Sequence, residues 1–97
     1  MWILRSSDDE AFAFRLTPGS SKTIGRARGV DFVLDAPLVS RVHCRLTAGD
    51  EQLEVEDLSS TNGTFVNDKR IAKGNVADGD RLRIGRVELK IEHHHEE

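Results

Sequence analysis

The sequence predicts an all-β domain, either an antiparallel β-sandwich or a small barrel. Apolar residues recur at every second position in short segments, whereas the periodicity of an amphipathic helix is almost absent. Turn signals rich in Gly, Asn, Asp and Pro separate these segments at frequent intervals. A sheet with one buried face requires this alternation, and frequent turns let many short strands fold back on one another.

The predicted strands can be placed in chain order. Alternation or a short apolar run indicates strands at 12–16, 32–34, 42–46, 53–55, 64–66, 82–84 and 87–91. Turns are predicted at 17–20, 48–50, 67–70 and 85–86, and the segment 73–80, with a Gly-centred turn signal at each end, is predicted to be a loop. Within 42–46, Val42, Cys44 and Leu46 share one face of the strand, so Cys44 is expected to be a small buried residue.

Composition limits the classes of protein that the chain can belong to. Its 97 residues are 37% apolar and 32% charged, which suits one globular domain with a single core. No apolar run approaches the roughly 18 residues that cross a bilayer, and the first residues lack the features of a signal peptide. The single cysteine cannot form an internal disulfide, which favours an intracellular setting. The net charge of −3 argues against nucleic acid or membrane as a partner.

We expect the domain to occupy residues 1–92 and to be monomeric in isolation, followed by a polar tail at 93–97. The tail contains three adjacent histidines that could bind a metal weakly. Consecutive residues on a flexible chain end rarely form a closed metal site, so the tail is interpreted as a linker start or a tag remnant. The sequence therefore predicts no metal and no cofactor.

Three polar clusters stand out from the strand pattern: Gly25-Arg26, Ser40-Arg41-Val42-His43, and the loop 57–67. Ser, Thr and Asn side chains in such a loop hydrogen-bond local backbone and hold one shape. Basic residues also concentrate between 22 and 47, while 48–57 carries only acidic charges. This segregation favours a local anion site, although an ordinary mixed surface would look the same in sequence.

Two chemistries fit these clusters poorly. Catalysis by Ser40 with His43 as its base is disfavoured, because residues three apart on a strand point to opposite faces and a Gly-x-Ser-x-Gly elbow is lacking. Single-strand nucleic-acid binding needs aromatic residues among the basic ones, and the chain has no tyrosine. Recognition of a phosphate ester fits better, because a guanidinium offers a planar fork of donors that matches phosphate oxygens.

The order and spacing of these clusters resemble the forkhead-associated (FHA) domain. Gly25-Arg26, Ser40-Arg41-Val42-His43 and the block 60–67 carry the resemblance, and 79–85 is similar to the last strands of that family. The likeness extends over nearly the whole chain, from Met1 to Glu92. It implies a two-sheet β-sandwich of about eleven short strands, whose loops at one end bind phosphothreonine peptides. The domain would then be a reversible reader in signalling, not an enzyme.

The resemblance also implies roles for individual residues. Arg26 would grip the phosphate, Ser40 would donate its hydroxyl to it, and Arg41 would add a further contact. Thr61 would lie beside the phosphate or the threonine methyl group, and Asn62 would hydrogen-bond the peptide main chain.

Four further residues would shape the site rather than grip the phosphate. Gly25, His43 and Gly63 would be architectural. Leu38 falls where some members read the side chain three positions after the phosphothreonine, and a leucine there would favour an apolar one.

Two alternatives stay open at this point. An FHA-like scaffold could bind its partner through another face without phosphate. A start at Met1-Trp2 resembles the N-terminal FHA domain of nibrin, a DNA-repair protein, which would place the chain in the nucleus rather than the cytoplasm. Bacterial kinase-signalling proteins carry similar modules, so the class of parent protein is open.

Overall fold

The computed structural model describes residues 1–7 and 12–95 of the chain, and these residues form eleven strands in two sheets. None of these described residues belongs to a helix that could span a membrane. The strands are β1 Trp2–Ser6, β2 Ala13–Leu16, β3 Ser21–Gly25, β4 Phe32–Val33, β5 Cys44–Ala48, β6 Leu53–Asp57, β7 Thr64–Val66, β8 Lys69–Ile71, β9 Lys73–Val76, β10 Arg81–Ile84 and β11 Val87–His93. The predicted two-sheet sandwich of about eleven strands is confirmed.

One sheet has the strand order β2-β1-β11-β10-β7-β8 and the other has β4-β3-β5-β6-β9. All pairs are antiparallel except β3 with β4, which run parallel. The inward side chains of both sheets form one core, and its largest fully buried members include Trp2, Leu4, Ile24, Leu46, Leu82 and Ile91. Because the strands alternate in direction, the loops β3–β4, β4–β5, β6–β7 and β10–β11 gather at one end.

Alternation located most strands, but it missed β3, and most of β8 fell within the predicted turn 67–70. The structure differs from the prediction at three further places. Val42 was expected in the core, yet it is 46% exposed, because β5 begins only at Cys44 and the preceding residues turn. The segment 73–80 was predicted to be a loop, but 73–76 forms β9, an edge strand on β6. The first strand, Trp2–Ser6, was not recognised, because its residues are buried almost continuously and do not alternate.

The predicted turn after β7 is a two-residue hairpin turn. Asn67 and Asp68 have φ angles of 48° and 70°, as a type I′ turn requires at both central positions. Asn and Asp tolerate this conformation better than other non-glycine residues do. The turn residues are also tied to the neighbouring strand, since the Asn67 side chain accepts a hydrogen bond from the Arg81 backbone N–H.

The chain end continues the sheet further than expected. β11 runs to His93, and the His94 backbone N–H donates to the Met1 carbonyl at 2.8 Å. Of the tail expected at 93–97, residues 96–97 lie outside the described part of the chain.

Candidate functional site

The three polar clusters of the sequence meet in one cleft at the end of the sandwich where these loops gather. The cleft has a volume of about 770 Å³ and is lined by residues from the loops β3–β4, β4–β5 and β6–β7. It brings together six of the residues that sequence analysis singled out: Arg26, Leu38, Ser40, Arg41, Thr61 and Asn62. Gly25, His43 and Gly63 do not line it, and they lie buried behind its walls.

Gly25 permits two chain segments to touch where β3 ends. A Cβ atom at this position would lie 2.1 Å from the backbone oxygen of Arg41, which is far inside contact distance. Two backbone hydrogen bonds flank this contact, from Arg26 N–H to the Ser40 carbonyl at 2.9 Å and from Ala27 N–H to the Arg41 carbonyl at 3.1 Å. Gly25 thus sets the spacing between Arg26 and the segment that carries Ser40 and Arg41.

Both cleft arginines are exposed. Arg26 donates its Nε–H to the Val39 carbonyl at 3.1 Å, which orients the guanidinium plane. Within residues 1–7 and 12–95, neither the terminal nitrogens of Arg26 nor the Arg41 side chain hydrogen-bonds or ion-pairs with a carboxylate. Asp35 also lines the cleft without pairing with either arginine. Positive charge is therefore available to an anion in the cleft.

Ser40 connects two walls of the cleft. Its hydroxyl oxygen accepts a hydrogen bond from the Thr61 backbone N–H at 3.0 Å, across 21 residues of sequence. A hydroxyl that accepts one bond still has its own proton to donate. The Ser40 hydroxyl is thus held in place with a free donor at the surface of the cleft.

His43 is fully buried and braces the same two segments from behind. Its Nδ1 accepts the Ser40 backbone N–H at 3.0 Å, so its Nε2 carries the proton and donates to the Gly63 carbonyl at 2.9 Å. Both ring nitrogens are occupied, and neither can take a proton from the Ser40 hydroxyl. This arrangement removes the base that a catalytic serine would need.

The loop β6–β7 is held from inside by Asp57, a residue to which sequence analysis gave no role. Its carboxylate accepts hydrogen bonds from the Ser60 hydroxyl and backbone N–H and from the Thr64 hydroxyl. Burial raises the pKa of Asp57, but the hydrogen bonds from Ser60 and Thr64 outweigh it, so the pKa lies below its usual value. The spacing of an Asp, a Ser three residues later and a Thr seven later was a detectable signal, because Asp side chains commonly close such turns.

Gly63 completes this loop in a conformation that other residues avoid. Its φ angle is 90°, and its N–H donates to the Ser60 hydroxyl at 3.0 Å. A Cβ atom there would also lie 2.8 Å from Nε of Arg70. The expected conformational role of Gly63 thus has two physical causes, the left-handed backbone and the close approach of Arg70.

Asn62 and Leu38 face each other across the cleft. The Asn62 amide donates to the Leu38 carbonyl at 3.1 Å, which joins loops 24 residues apart in sequence. Leu38 has a φ angle of 71° and a side chain that is 44% exposed. An exposed leucine in a left-handed backbone is a costly arrangement, and such strain is concentrated at functional sites.

Comparison with known proteins agrees with this arrangement. The model of the FHA domain family matches residues 22–85. The chain belongs to the FHA domain family. FhaA from Mycobacterium tuberculosis, an FHA domain-containing protein, is 34% identical over 91 residues, covering 94% of this chain and 17% of FhaA. The chain thus spans less than a fifth of the length of that relative.

Two solved structures extend the comparison to three dimensions. The FhaA FHA domain in complex with the intracellular domain of Rv3910 matches with a TM-score of 0.86 and 33% identity, over 94% of this chain and 99% of that one. A structure from work on phosphothreonine-dependent FHA domain interactions has a TM-score of 0.88 and 33% identity, over 96% of both chains. FHA domains are recognition modules that bind phosphorylated partners, not enzymes. A bacterial relative such as FhaA gives no support to a nuclear, nibrin-like parent protein.

Proposed function

We propose that this domain binds phosphothreonine peptides in the cleft, with the phosphate held by Arg26, Ser40, Arg41 and Thr61. The terminal nitrogens of Arg26 and the Ser40 hydroxyl proton supply donors from two adjacent segments. Arg41 adds charge, and Thr61, anchored to Ser40, lies next to the same donors. Asn62 exchanges its bond to Leu38 for one to the peptide main chain, so that the peptide crosses the cleft between the two loops.

The observation that carries this proposal is a pair of arginines that have no carboxylate partner among the residues the structure describes, beside a serine hydroxyl with a free proton. A guanidinium whose charge is not neutralised by a described carboxylate, at the mouth of a polar cleft, can bind a dianionic phosphate ester. Hydrogen bonds to charged groups contribute about 1.5–3 kcal/mol each. Three or four of them, less the cost of ordering the peptide, give a Kd of about 1 µM.

The test is fluorescence polarisation with matched phosphothreonine, phosphoserine and unphosphorylated peptides. Binding to the phosphothreonine form alone is expected, because most of the affinity would come from the phosphate and Thr61 would lie beside the phosphate or the threonine methyl group. Equal affinity for all three peptides would overturn the proposal. It would favour instead an FHA-like scaffold that binds its partner through another face without phosphate.

A substitution at Arg26 tests the phosphate contact directly. Arg26→Lys keeps the charge but loses the planar fork, and should weaken phosphothreonine binding at least about tenfold. Arg28→Lys is the matched control, because Arg28 is an exposed arginine two residues further along that does not line the cleft. If the two variants bind equally well, Arg26 does not hold the phosphate.

The apolar rim of the cleft favours peptides with an apolar side chain after the phosphothreonine. Leu38 and Val42 are 44% and 46% exposed and both line the cleft. Leucine there favours an apolar side chain three residues after the phosphothreonine, since contact with Leu38 would bury both. A peptide library randomised at that position should enrich apolar residues, and Leu38→Lys should shift the enrichment toward acidic ones.

The remaining parts of the proposal concern the setting of the domain. Residues 1–92 form the interaction module, which is monomeric in isolation, and the partner is a phosphothreonine-containing protein rather than nucleic acid or membrane. Protein kinases and their substrates meet inside cells, and a single buried cysteine suits a reducing compartment, so the proposed location is intracellular. Size-exclusion chromatography of the isolated chain tests the monomeric state.

A further inference from the structure

A second cluster, made of side chains that can bind a metal ion, lies at the opposite end of the sandwich from the proposed phosphopeptide cleft. It comprises Glu51, in the turn between β5 and β6, with His93 and His95 at the end of β11. One potential ligand atom from each of the three residues lies within 4.8 Å of the other two. They border a cavity of about 280 Å³ that opens to solvent.

Strand geometry divides the three consecutive histidines between two sets of contacts. The potential ligand atoms of His93 and His95 lie close to Glu51, whereas the His94 ring, from a residue that also borders the cavity, lies at hydrogen-bond distance, 3.0 Å, from the Glu92 carboxylate. The extended chain produces this split, because successive side chains point in opposite directions. Hydrogen bonds in both directions between the backbones of His94 and Met1 hold the segment in its extended form.

Trp2 positions both halves of the cluster. Its buried ring stacks on the His93 ring with centroids 4.0 Å apart and planes 6° from parallel. Its indole N–H donates to the Gly49 carbonyl at 2.8 Å, which anchors the turn that carries Glu51. The His93 backbone N–H also donates to the Asp78 carboxylate at 2.8 Å. One buried side chain thus fixes a histidine and the turn bearing a carboxylate.

Two imidazoles and a carboxylate are a common ligand set for zinc. Zinc bonds to such ligands at about 2.0–2.2 Å, which places tetrahedral donor atoms about 3.4 Å apart. Glu51 and His95 are exposed, and rotation of their side chains closes the remaining gap. The sequence by itself predicted no metal site because the histidines are consecutive. Glu51 changes that expectation, since it adds a ligand from a separate and anchored turn.

We propose that Glu51, His93 and His95 bind a zinc ion, with a fourth coordination position open to solvent. The ion would join the turn β5–β6 of one sheet to the end of β11 in the other, and so link the two sheets at this end. This site is independent of the phosphothreonine site, because the two lie at opposite ends of the sandwich.

The test is isothermal titration of the purified chain with zinc chloride, comparing the wild type with Glu51→Gln, His95→Ala and His94→Ala. Substituting a residue that only hydrogen-bonds to a metal ligand lowers metal affinity about 10–100-fold. Glu51→Gln and His95→Ala each remove a proposed ligand itself, so each should weaken zinc binding at least about tenfold. His94→Ala is the matched control, because it removes a histidine of the same run whose ring contacts Glu92 and does not belong to the group of three potential ligands. It should bind one zinc per chain with wild-type affinity.

Thermal unfolding gives a second readout that does not depend on peptide binding. A ligand that binds only the folded state raises Tm, so zinc should raise Tm of the wild type and His94→Ala, and EDTA should reverse the rise. Zinc should leave Glu51→Gln almost unchanged. If His94→Ala loses as much affinity as His95→Ala, or if Glu51→Gln binds like the wild type, the zinc binds a flexible histidine run and the proposal is wrong. Absence of wild-type binding would also overturn it.

Discussion

Gly25→Ala should separate the two segments that carry Arg26 and Arg41. Its Cβ atom would lie 2.1 Å from the Arg41 carbonyl oxygen, whereas real Cβ atoms essentially never approach closer than 3.0 Å, so the segments must part by about 0.9 Å. The obstacle is backbone, which cannot rotate away as a flexible side chain does. The hydrogen bonds at 2.9 and 3.1 Å on either side of the contact would be stretched beyond useful length.

The magnitude follows from these two effects. Overpacking of a tight contact costs about 1–3 kcal/mol, and each lost backbone hydrogen bond about 0.5–1.5 kcal/mol. The free energy of unfolding should fall by about 2–6 kcal/mol, a large part of the 5–15 kcal/mol of a typical domain. For a domain of this size that corresponds to a drop in Tm of at least about 8 °C.

Urea denaturation and thermal melting of Gly25→Ala beside Gly29→Ala provide the measurement. Gly29 lies in the loop that follows β3, and a Cβ atom there would meet nothing within 4 Å, so its substitution should change stability by no more than about 0.5 kcal/mol. Any folded Gly25→Ala should also bind phosphothreonine peptide more weakly, because Arg26 and Ser40 move apart. Equal stability of the two variants would refute the argument that close backbone approach requires glycine at this position.

Three further predictions concern His43, Asp57 and the buried thiol of Cys44. His43→Ala leaves the Ser40 N–H and Gly63 carbonyl unpaired and should destabilise the fold by about 2–4 kcal/mol in urea denaturation, unlike the exposed control His94→Ala. Loss of peptide affinity with an unchanged melting curve would contradict the bracing role. Asp57→Asn should be less stable than the wild type at pH 7, and the gap should narrow below about pH 4. The reason is that a carboxylate whose pKa is lowered in the folded state stabilises the fold above its unfolded-state pKa and loses this effect as pH falls through its folded-state pKa. An equal difference in stability between Asp57→Asn and the wild type at pH 3 and pH 7 would contradict this role of Asp57. Burial, and secondarily the charge of Asp57, raises the pKa of Cys44 to about 12. The thiol should therefore react with a disulfide reagent at pH 8 only after urea has unfolded the domain. Rapid reaction of the folded domain would contradict this prediction.

Residues whose role depends on the chemistry of their own side chain could be identified from the sequence. Guanidinium and hydroxyl donors pointed to a phosphate ester, and the resemblance to the FHA family then singled out Arg26, Ser40, Arg41, Thr61 and Asn62. The fold places all five in one cleft. Alternation also located most strands, since a half-buried strand must alternate whatever its neighbours are. These properties are local, and a local pattern is sufficient to reveal them.

Other features depend on contacts between distant parts of the chain. Val42 belonged to an alternating pattern, yet the turn that seats His43 behind the cleft expels it to the surface. Gly25 was expected to be architectural, but only the structure shows that it lets the Arg41 backbone approach, since Arg41 lies 16 residues further along the chain. Asp57 differs from these cases, because its partners Ser60 and Thr64 are close in sequence and their spacing was a signal that could have been read.

The sequence by itself determined most of the strand pattern, the family and the types of donor that line the cleft, because each depends on residue types and their spacing. Only the tertiary structure decided which polar side chains of the cleft are hydrogen-bonded within the protein and which have donors available for a ligand. It joins Ser40 to Thr61, occupies both nitrogens of His43 and, within the described part of the chain, leaves Arg26 and Arg41 without a carboxylate partner. It also brings Glu51 to His93 and His95 across more than 40 residues. Sheet packing creates such meetings, because it places together turns whose sequences carry no sign of one another.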